Sequence, residues 1–598
     1  MKVRVPYLIQ DPVTQQAKGL EPTEEITFER EAFCLDGPVT RRVAVLDFDP
    51  ETGDLCPGAR FVRGGSRDEP GSYKAADLAD LSDLTSKAFM QVNALATVLS
   101  TLYLYEESDA LGREVEWAFG APQLLVIPRA GEWANAFYER ASGSLQFFYF
   151  PSARVEAGET RTIFTALSQD IIAHETGHAI LDGIAPDLYN CLTPQSLALH
   201  EAVADISALM VALRSRELRE RLLEQTQGSI SGRVAYTSLA EQFGIERDLT
   251  GRARDLRSLW NDRNLNPDDD TLDELHRPNQ AARDEPHLLS EVLSGALYRV
   301  LAHLHEEYRA KRAAEKGISE FSASGWALFV ASEHFKRLVL RSLDYLPPGE
   351  VSFADYGRAI LASDQASYPG ESAGRNALVA EFDRRFIIRD PWEFDVRTDF
   401  EDPAVAGLDL ETLVDSDWAA YDFANKHRAF LGIPPDIHFR VRPRQRAVKK
   451  YQTYEGLETV EECIFKVSWD VEEPNPRDLP VTSLRQITVG TTLVIDWKSG
   501  RVRTLLTGES AGSDRPGSAQ QRADRDAMIR HLSAARRLRL GAHGEDEGLF
   551  EGAVPVEVSG DLMRVRGLGR MLHLAFDDEF GERHAGRESG GAGGENHG

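Results

Sequence analysis

The chain contains little cysteine, and what it has is scattered. Four cysteines occur among 598 residues, and none belongs to a CxxC pair. This argues against a thiolate zinc site and against a disulfide-dense secreted module. A single bridge between Cys34 and Cys56 remains open as an alternative to four free thiols.

Long apolar runs are missing as well. No uninterrupted stretch of eighteen apolar residues occurs, so we expect no transmembrane helix. The first residues, MKVRVPYLIQDPVTQQ, lack the apolar segment of a signal peptide. These absences predict a cytoplasmic protein, or a secreted one if the sequence is that of a processed form.

Positive charge is scarce relative to negative charge. The chain has 68 Lys and Arg against 96 Asp and Glu, a formal net charge of -28. Such a surface repels phosphate backbones and anionic membranes, so we expect neither nucleic acid nor a membrane as a partner. The composition gives no indication of the oligomeric state.

Hydrophobic patterning divides the chain into four parts and predicts an α+β protein. More than one domain is expected, because single cores rarely exceed about 250–300 residues. The parts are a β-rich N-terminal segment at 1–75, a mixed and then mostly helical region at 76–388, a β-rich region at 389–585, and a flexible tail at 586–598.

Individual elements are also predicted. A long buried helix should start near a cap at Ser82 or Asp83. QLLVIPRAG and SLQFFYFPS have the composition of strands, and helical spacing dominates from Thr165 to about Arg385. Further along, Lys498-Ser499-Gly500 predicts a hairpin turn, and GESAGSDRPGSAQQRADRD predicts a linker.

The stretch IIAHETGHAILDG contains an HExxH motif. On a helix, His174 and His178 project from the same face one turn apart, so both imidazoles can reach one metal ion. Glu175, beside the first histidine, can reach a water on that metal. The alternative is that these are two core histidines that happen to lie four residues apart.

A catalytic zinc ion needs a third protein ligand, and LALHEAVADISALM can supply it. If this segment is a helix packed on the first one, Glu201 completes a His-His-Glu site. Asp205, one turn on, can then accept a hydrogen bond from the outer nitrogen of a ligating histidine. His200 is expected to point to a different face and receives no metal role.

At these residues the chain resembles the thermolysin-type gluzincin metallopeptidases, over roughly residues 88–386. HETGHAILDG is similar to the zinc helix of that family, HEAVAD to its NEAxSD motif, LRSL to its LRSM motif, and PHLLSEVLSGALY to its VHINSGIINKAAY segment. The resemblance implies one catalytic Zn²⁺ and an α+β fold, with a β-containing N-terminal part, a helical lobe and the zinc site between them.

The resemblance also assigns roles by position. It places Asn135 and Ala136 in the edge strand that holds the substrate backbone. It makes Tyr189 and His287 donors to the transition-state oxyanion, and Arg257 the arginine that meets the substrate carbonyl.

Calcium is a doubtful second metal. Asp170 stands where the family has a calcium ligand, but Ala212 and Leu213 occupy the place of the companion acid. A second histidine group, His303 and His305, lies two residues apart on a predicted helix, where the two side chains face apart. We interpret it as part of a solvated helix.

The function predicted on this basis is zinc-dependent endopeptidase activity on a peptide or protein substrate, with Glu175 as general base. Two alternatives stay open. One is a zinc aminopeptidase, which shares HExxH and a downstream glutamate, but its GxMEN motif is not found in the chain. The other is a catalytically silent peptidase fold that serves as a zinc-stabilised binding module.

Overall fold

The computed structural model describes residues 2–570 apart from 13–22, 30, 67, 75–83, 85, 157–158, 233, 235–237, 240–256, 266–285, 369, 371, 389–390, 443, 453–456, 480, 513, 516 and 541–553. The secondary structure is mixed, as an α+β class requires. The predicted tail at 586–598 lies outside the described residues.

The helices, in chain order, are α1 (Lys87–Glu106), α2 (Gln169–Ile184), α3 (Pro194–Ala212), α4 (Arg216–Gln225), α5 (Pro286–Lys316), α6 (Glu320–Arg341), α7 (Phe353–Ser367), α8 (Ala373–Arg384), α9 (Leu410–Asp415), α10 (Asp417–Lys426), α11 (Arg428–Leu431) and α12 (Ser518–Ala534).

The strands of the first half are β1 (Val3–Tyr7), β2 (Glu24–Phe28), β3 (Cys34–Leu35), β4 (Val39–Thr40), β5 (Val43–Val45), β6 (Arg60–Val62), β7 (Gly71–Lys74), β8 (Leu124–Ile127), β9 (Ala136–Glu139), β10 (Ser144–Phe147), β11 (Tyr149–Glu156), β12 (Glu159–Phe164), β13 (Ser238–Leu239) and β14 (Arg257–Ser258). Those of the second half are β15 (Thr398–Phe400), β16 (Phe439–Val441), β17 (Gln445–Gln452), β18 (Leu457–Pro474), β19 (Leu484–Asp496), β20 (Val502–Thr507), β21 (Leu538–Leu540), β22 (Val554–Ser559) and β23 (Leu562–Val565).

Helix α1 forms the centre of the main core. It begins at Lys87, and the Ser86 side chain accepts a hydrogen bond from the Phe89 N–H and so caps the first turn. The predicted cap positions, Ser82 and Asp83, lie outside the described residues. By length and composition α1 could cross a membrane, but 89% of its apolar window is buried inside the protein. Helices α3 and α4 are long and apolar enough to cross a membrane only if they are taken together, and a bend of 92° separates them.

A six-stranded sheet lies beside this helix in the order β3-β4-β5-β8-β10-β9. Strand β9 is at one edge and pairs antiparallel with β10, while β8 and β10 run parallel. Strands β3 to β5 belong to the first 75 residues, so the N-terminal segment builds half of the sheet that ends in β9. Helix α2 packs against β9.

Helices α2 and α3 approach each other closely at Gly177. A Cβ atom at this position would lie 2.6 Å from the Ser207 hydroxyl and 3.0 Å from the Cα of Ala204, closer than real Cβ contacts. Only glycine leaves room for this approach. The two helices that carry the HExxH and HEAVAD motifs are therefore packed side by side.

The C-terminal third is built around a nine-stranded sheet in which β18 and β19 form a long antiparallel pair. The predicted hairpin is confirmed: β19 and β20 are antiparallel, and Gly500 has a φ of 69°, which suits glycine in a tight turn. The predicted linker is wrong. Helix α12 starts inside it, because Met528, Ile529 and Leu532 pack in a core with β22 and β23.

Two further expectations need correction. All four cysteines are free, so the Cys34–Cys56 bridge does not form. His305 is not solvated: it is fully buried between α5 and α6, where its Nε2 lies 3.3 Å from the Ser324 carbonyl. His303 does face solvent, with a side chain 57% exposed.

Candidate metal centre

Two histidines and a glutamate converge between α2 and α3. The Nε2 atoms of His174 and His178 lie 3.1 Å apart. Each lies 3.4 Å from an oxygen of Glu201, His174 from Oε2 and His178 from Oε1. All three side chains are buried.

These separations match the edges of a coordination tetrahedron. Ligand atoms about 2.0–2.1 Å from one zinc ion in tetrahedral geometry are ~3.3–3.4 Å from one another. The observed 3.1 and 3.4 Å are close to that value. The three side chains therefore fit a zinc ion without rearrangement, and a fourth position remains for water or substrate.

The outer nitrogens of both histidines are held as well. His174 Nδ1 lies 3.0 Å from Asp205 Oδ1, within reach of the hydrogen bond predicted for this pair. His178 Nδ1 lies 3.1 Å from His200 Nδ1. His200 thus contacts His178, although it was expected to point to a different face.

The tautomers that follow from these contacts favour a cation. A proton on His174 Nδ1, directed at Asp205, leaves a lone pair on Nε2. If His178 donates through Nδ1 to His200, its Nε2 also carries a lone pair. Two lone pairs and a carboxylate would then face one another at close range, an arrangement that a positive ion stabilises.

Glu201 has the charge that a metal ligand needs. Burial opposes its ionisation, but the neighbouring His287 and His178 hold the pKa of this carboxyl well below its usual value. Burial, and then the neighbouring His178, lower the pKa of His200 well below the ordinary histidine value. A neutral His200 can accept the hydrogen bond from His178.

Glu175 is buried and lies where α2 meets the edge strand. Its Oε2 accepts a hydrogen bond from the Tyr138 N–H of β9, at 3.1 Å. Ala136 and Asn135 are at the start of the same strand, and the Asn135 side chain accepts a hydrogen bond from the Ala136 N–H at 2.8 Å. The candidate general base and the strand predicted to hold substrate are therefore in direct contact.

His287 also reaches this centre. It lies in the first turn of α5, with its Nε2 at 3.8 Å from Glu201 Oε2 and its side chain 15% exposed. His287 thus places a partly exposed imidazole beside the Glu201 carboxylate.

Tyr189 packs beside His200. Its ring packs edge-on against His200, with centroids 6.4 Å apart, and the guanidinium of Arg140 lies 4.2 Å over it. It is thus on the side of the outer nitrogen of His178, behind the metal-binding atoms. Burial raises the pKa of the Tyr189 hydroxyl.

An ion pair fixes the loop between α2 and α3. Asp182, fully buried on α2, accepts hydrogen bonds from Arg140 and from the Tyr138 hydroxyl, the latter at 2.7 Å. Arg140 also donates to the Pro186 carbonyl at 2.7 Å. Helix α2, the end of β9 and the start of the loop are therefore tied together.

The remaining predicted residues are only partly placed. Arg257 is in β14, paired with Leu239 of β13, and its side chain lies outside the described part of the structure. Asp170 is in the first turn of α2 and accepts a hydrogen bond from Ser168. Among the described residues, Asp170 belongs to no group of three converging metal-ligating side chains, so calcium gains no support.

A second acidic group, Glu107, Asp109 and Glu333, has converging oxygens. The ammonium of Lys336 lies among them, 2.6 Å from Glu107, 3.1 Å from Asp109 and 2.7 Å from Glu333. This group is an ion-pair network around a lysine.

Comparison with known proteins adds no relative. No protein-family model matches the chain, and no curated protein matches it.

Proposed function

We propose that this chain is a zinc-dependent endopeptidase with a thermolysin-like arrangement of edge strand and zinc helices. The observation that carries the proposal is the convergence of His174 Nε2, His178 Nε2 and the Glu201 carboxylate at 3.1–3.4 Å. Two imidazoles, one carboxylate and an open position form the donor set of catalytic zinc sites that hydrolyse peptide bonds.

The metal supplies one part of the chemistry: bound zinc lowers the pKa of its water toward 7 and polarises the scissile carbonyl. The protein supplies the rest. Glu175 accepts the proton of the attacking water and passes it to the leaving amine. Its contact with the Tyr138 N–H keeps the carboxylate turned toward the edge strand.

Substrate binding follows from the same geometry. Strand β9 pairs only with β10 within its sheet, and its Ala136 and Tyr138 N–H groups donate to the Asn135 and Glu175 side chains. An extended peptide that pairs with this strand would take the place of these side-chain acceptors. A backbone held there passes Glu175 and reaches the two histidines. His287, beside Glu201, then donates a hydrogen bond to the oxygen of the scissile carbonyl as negative charge develops on it.

The test compares wild type, Glu175→Gln and the exposed control Glu224→Gln on α4 for zinc content and for cleavage of denatured casein. We expect one zinc per chain in all three. Cleavage should fall by about 10²–10⁴-fold in Glu175→Gln, since proton transfer is lost, and should be unchanged in the control.

The other outcomes discriminate the alternatives. A fully active Glu175→Gln variant contradicts the mechanism. Zinc without cleavage by the wild type favours a silent binding module, and release of N-terminal residues alone favours an aminopeptidase. Absence of zinc returns the HExxH histidines to a structural role.

A further inference from the structure

A cavity of about 370 Å³ lies between the loop joining α2 to α3 and the C-terminal sheet. Six of its sixteen lining residues are arginines, against two acids, Asp187 and Glu350, although the protein as a whole is strongly acidic. The arginines come from β9's end, the β16 region, β19 and β23: Arg140, Arg440, Arg442, Arg485, Arg564 and Arg566.

Five of these arginines have acidic partners. The pairs are Arg140 with Asp182, Arg440 with Asp470, Arg442 with Asp187, Arg485 with Glu473 and Asp526, and Arg566 with Glu557. These pairs orient the guanidinium groups and hold them in place around the cavity.

Arg564 differs from the other five. It lies on β23, and within the described part of the chain its guanidinium forms no ion pair and no hydrogen bond. The Nε of Arg566, two residues on, is buried without a hydrogen-bond acceptor among the described residues. The guanidinium of Arg564 therefore has donors available for a ligand, and Arg566 lines the cavity beside it.

The positive charge of Arg564 is also incompletely compensated. Burial, and then repulsion from Arg566, lower the pKa of this guanidinium, and the attraction of Asp470 only partly offsets them. An anion bound between the two arginines would attract both and so offset their mutual repulsion.

We propose that this cavity binds the phosphoryl group of a small phosphorylated molecule through Arg564 and Arg566. A phosphoryl group brings a charge of about -1.5 to -2 and three acceptor oxygens, so it can engage several guanidinium forks at once. A carboxylate has two oxygens and one charge, and a single bidentate arginine satisfies it.

The size and the walls of the cavity indicate an organic phosphate. Small-molecule sites typically measure roughly 300–1,000 Å³, and this volume exceeds what a phosphate ion alone would fill. Leu192, Ile487 and Val565 line the cavity beside the arginines and supply apolar contacts.

Calorimetric titration of the full chain at constant ionic strength tests the proposal. The probes are phenyl phosphate, benzoate and inorganic phosphate, of which the first two share a ring and differ in the anionic group. We expect one phenyl phosphate per chain, bound at least tenfold more tightly than benzoate. Equal affinity for inorganic phosphate would support the phosphoryl site and identify free phosphate as its ligand.

Variants locate the site. Arg564→Gln should weaken phenyl phosphate at least tenfold without lowering the melting temperature, because the side chain has no ion pair to lose. Arg564→Lys keeps the charge but loses the forked guanidinium, so its affinity for phenyl phosphate should lie between those of wild type and Arg564→Gln. Arg522→Gln, an exposed arginine on α12, should bind as wild type does.

Three results would overturn the assignment. The wild type could bind neither phenyl phosphate nor inorganic phosphate, or it could bind benzoate as tightly as phenyl phosphate. The third result is an Arg564→Gln variant that binds phenyl phosphate with wild-type affinity. None depends on zinc or on peptidase activity, so the site stands or falls independently of the proposed function.

Discussion

His178 and His200 face each other through their Nδ1 atoms, 3.1 Å apart, at the junction of α2 and α3. His178 therefore has the orienting partner that metal-binding histidines require, and this partner is another imidazole. Because the partner fixes the ring orientation, replacing it should weaken metal binding even though His200 is not itself a ligand.

We expect His200→Leu to bind zinc about 10–100-fold more weakly than wild type. His200→Asn, whose side-chain oxygen can still accept from His178, should recover most of the affinity. Competition with a chromophoric chelator measures both constants, and melting of the zinc-free proteins controls for folding. Wild-type affinity in His200→Leu would show that the contact does not orient His178.

The positions of Tyr189 and His287 predict that only His287 contributes to turnover. His287→Ala should lower kcat by about 10²–10³-fold, the usual cost of an oxyanion donor. Tyr189→Phe keeps the ring that packs against His200 and Arg140, so kcat should stay close to the wild-type value. Steady-state kinetics on one peptide measures kcat for both variants. A large loss of kcat in Tyr189→Phe would support the catalytic role that the sequence indicated.

Gly177 should not tolerate a methyl group. In Gly177→Ala the new Cβ meets Ser207 and Ala204, so we expect a loss of about 1–3 kcal/mol in the free energy of unfolding and reduced zinc content. Gly325→Ala is the matched control, because Gly325 lies inside α6 with open space around its Cβ position. That variant should gain about 0.5–1 kcal/mol. Equal stability of the two variants in denaturant would contradict the close packing.

His305 should make stability pH-dependent, while His303 should not. Burial lowers the pKa of His305 from 6.5 to about 4, so between these values the unfolded chain binds a proton that the folded chain does not. The stabilisation is present above pH 6.5 and is lost as pH falls toward 4, by about 3 kcal/mol in all.

Zinc-free protein isolates this effect from the metal site. Between pH 7 and pH 5, wild type and the exposed control His303→Gln should lose more unfolding free energy than His305→Gln does. The same slope in all three proteins would mean that His305 is not buried as a neutral group.

The sequence predicted what depends on local spacing. Within each of the HExxH and HEAVAD motifs the functional side chains are spaced four residues apart, one helical turn. The convergence of His174, His178 and Glu201 therefore required only that the two helices pack together. The β-rich C-terminal region and its hairpin were predictable for the same reason, since alternation and turn residues are local signals.

What the sequence missed depends on packing between distant segments. Whether His200 or a solvent molecule meets His178 is decided by how α3 is rotated on α2. His305 is buried because α6 packs against its helix. Helix α12 begins in a polar stretch because Met528 and Ile529, further along it, pack against strands that are distant in sequence. The position of Tyr189 beside His200 depends on the path of the loop between α2 and α3, which local spacing does not determine.

The start of α3 has a consequence for how the protein is made. Leu192 and Leu197 belong to a core completed by Met528 and Ile529, and Arg525 donates a hydrogen bond to Thr193 across 332 residues of chain. The helix that carries Glu201 thus rests on a surface that is synthesised about 332 residues later. A chain that still lacks this surface cannot hold the helix as the folded protein does, so the centre can be assembled only after that surface has been made.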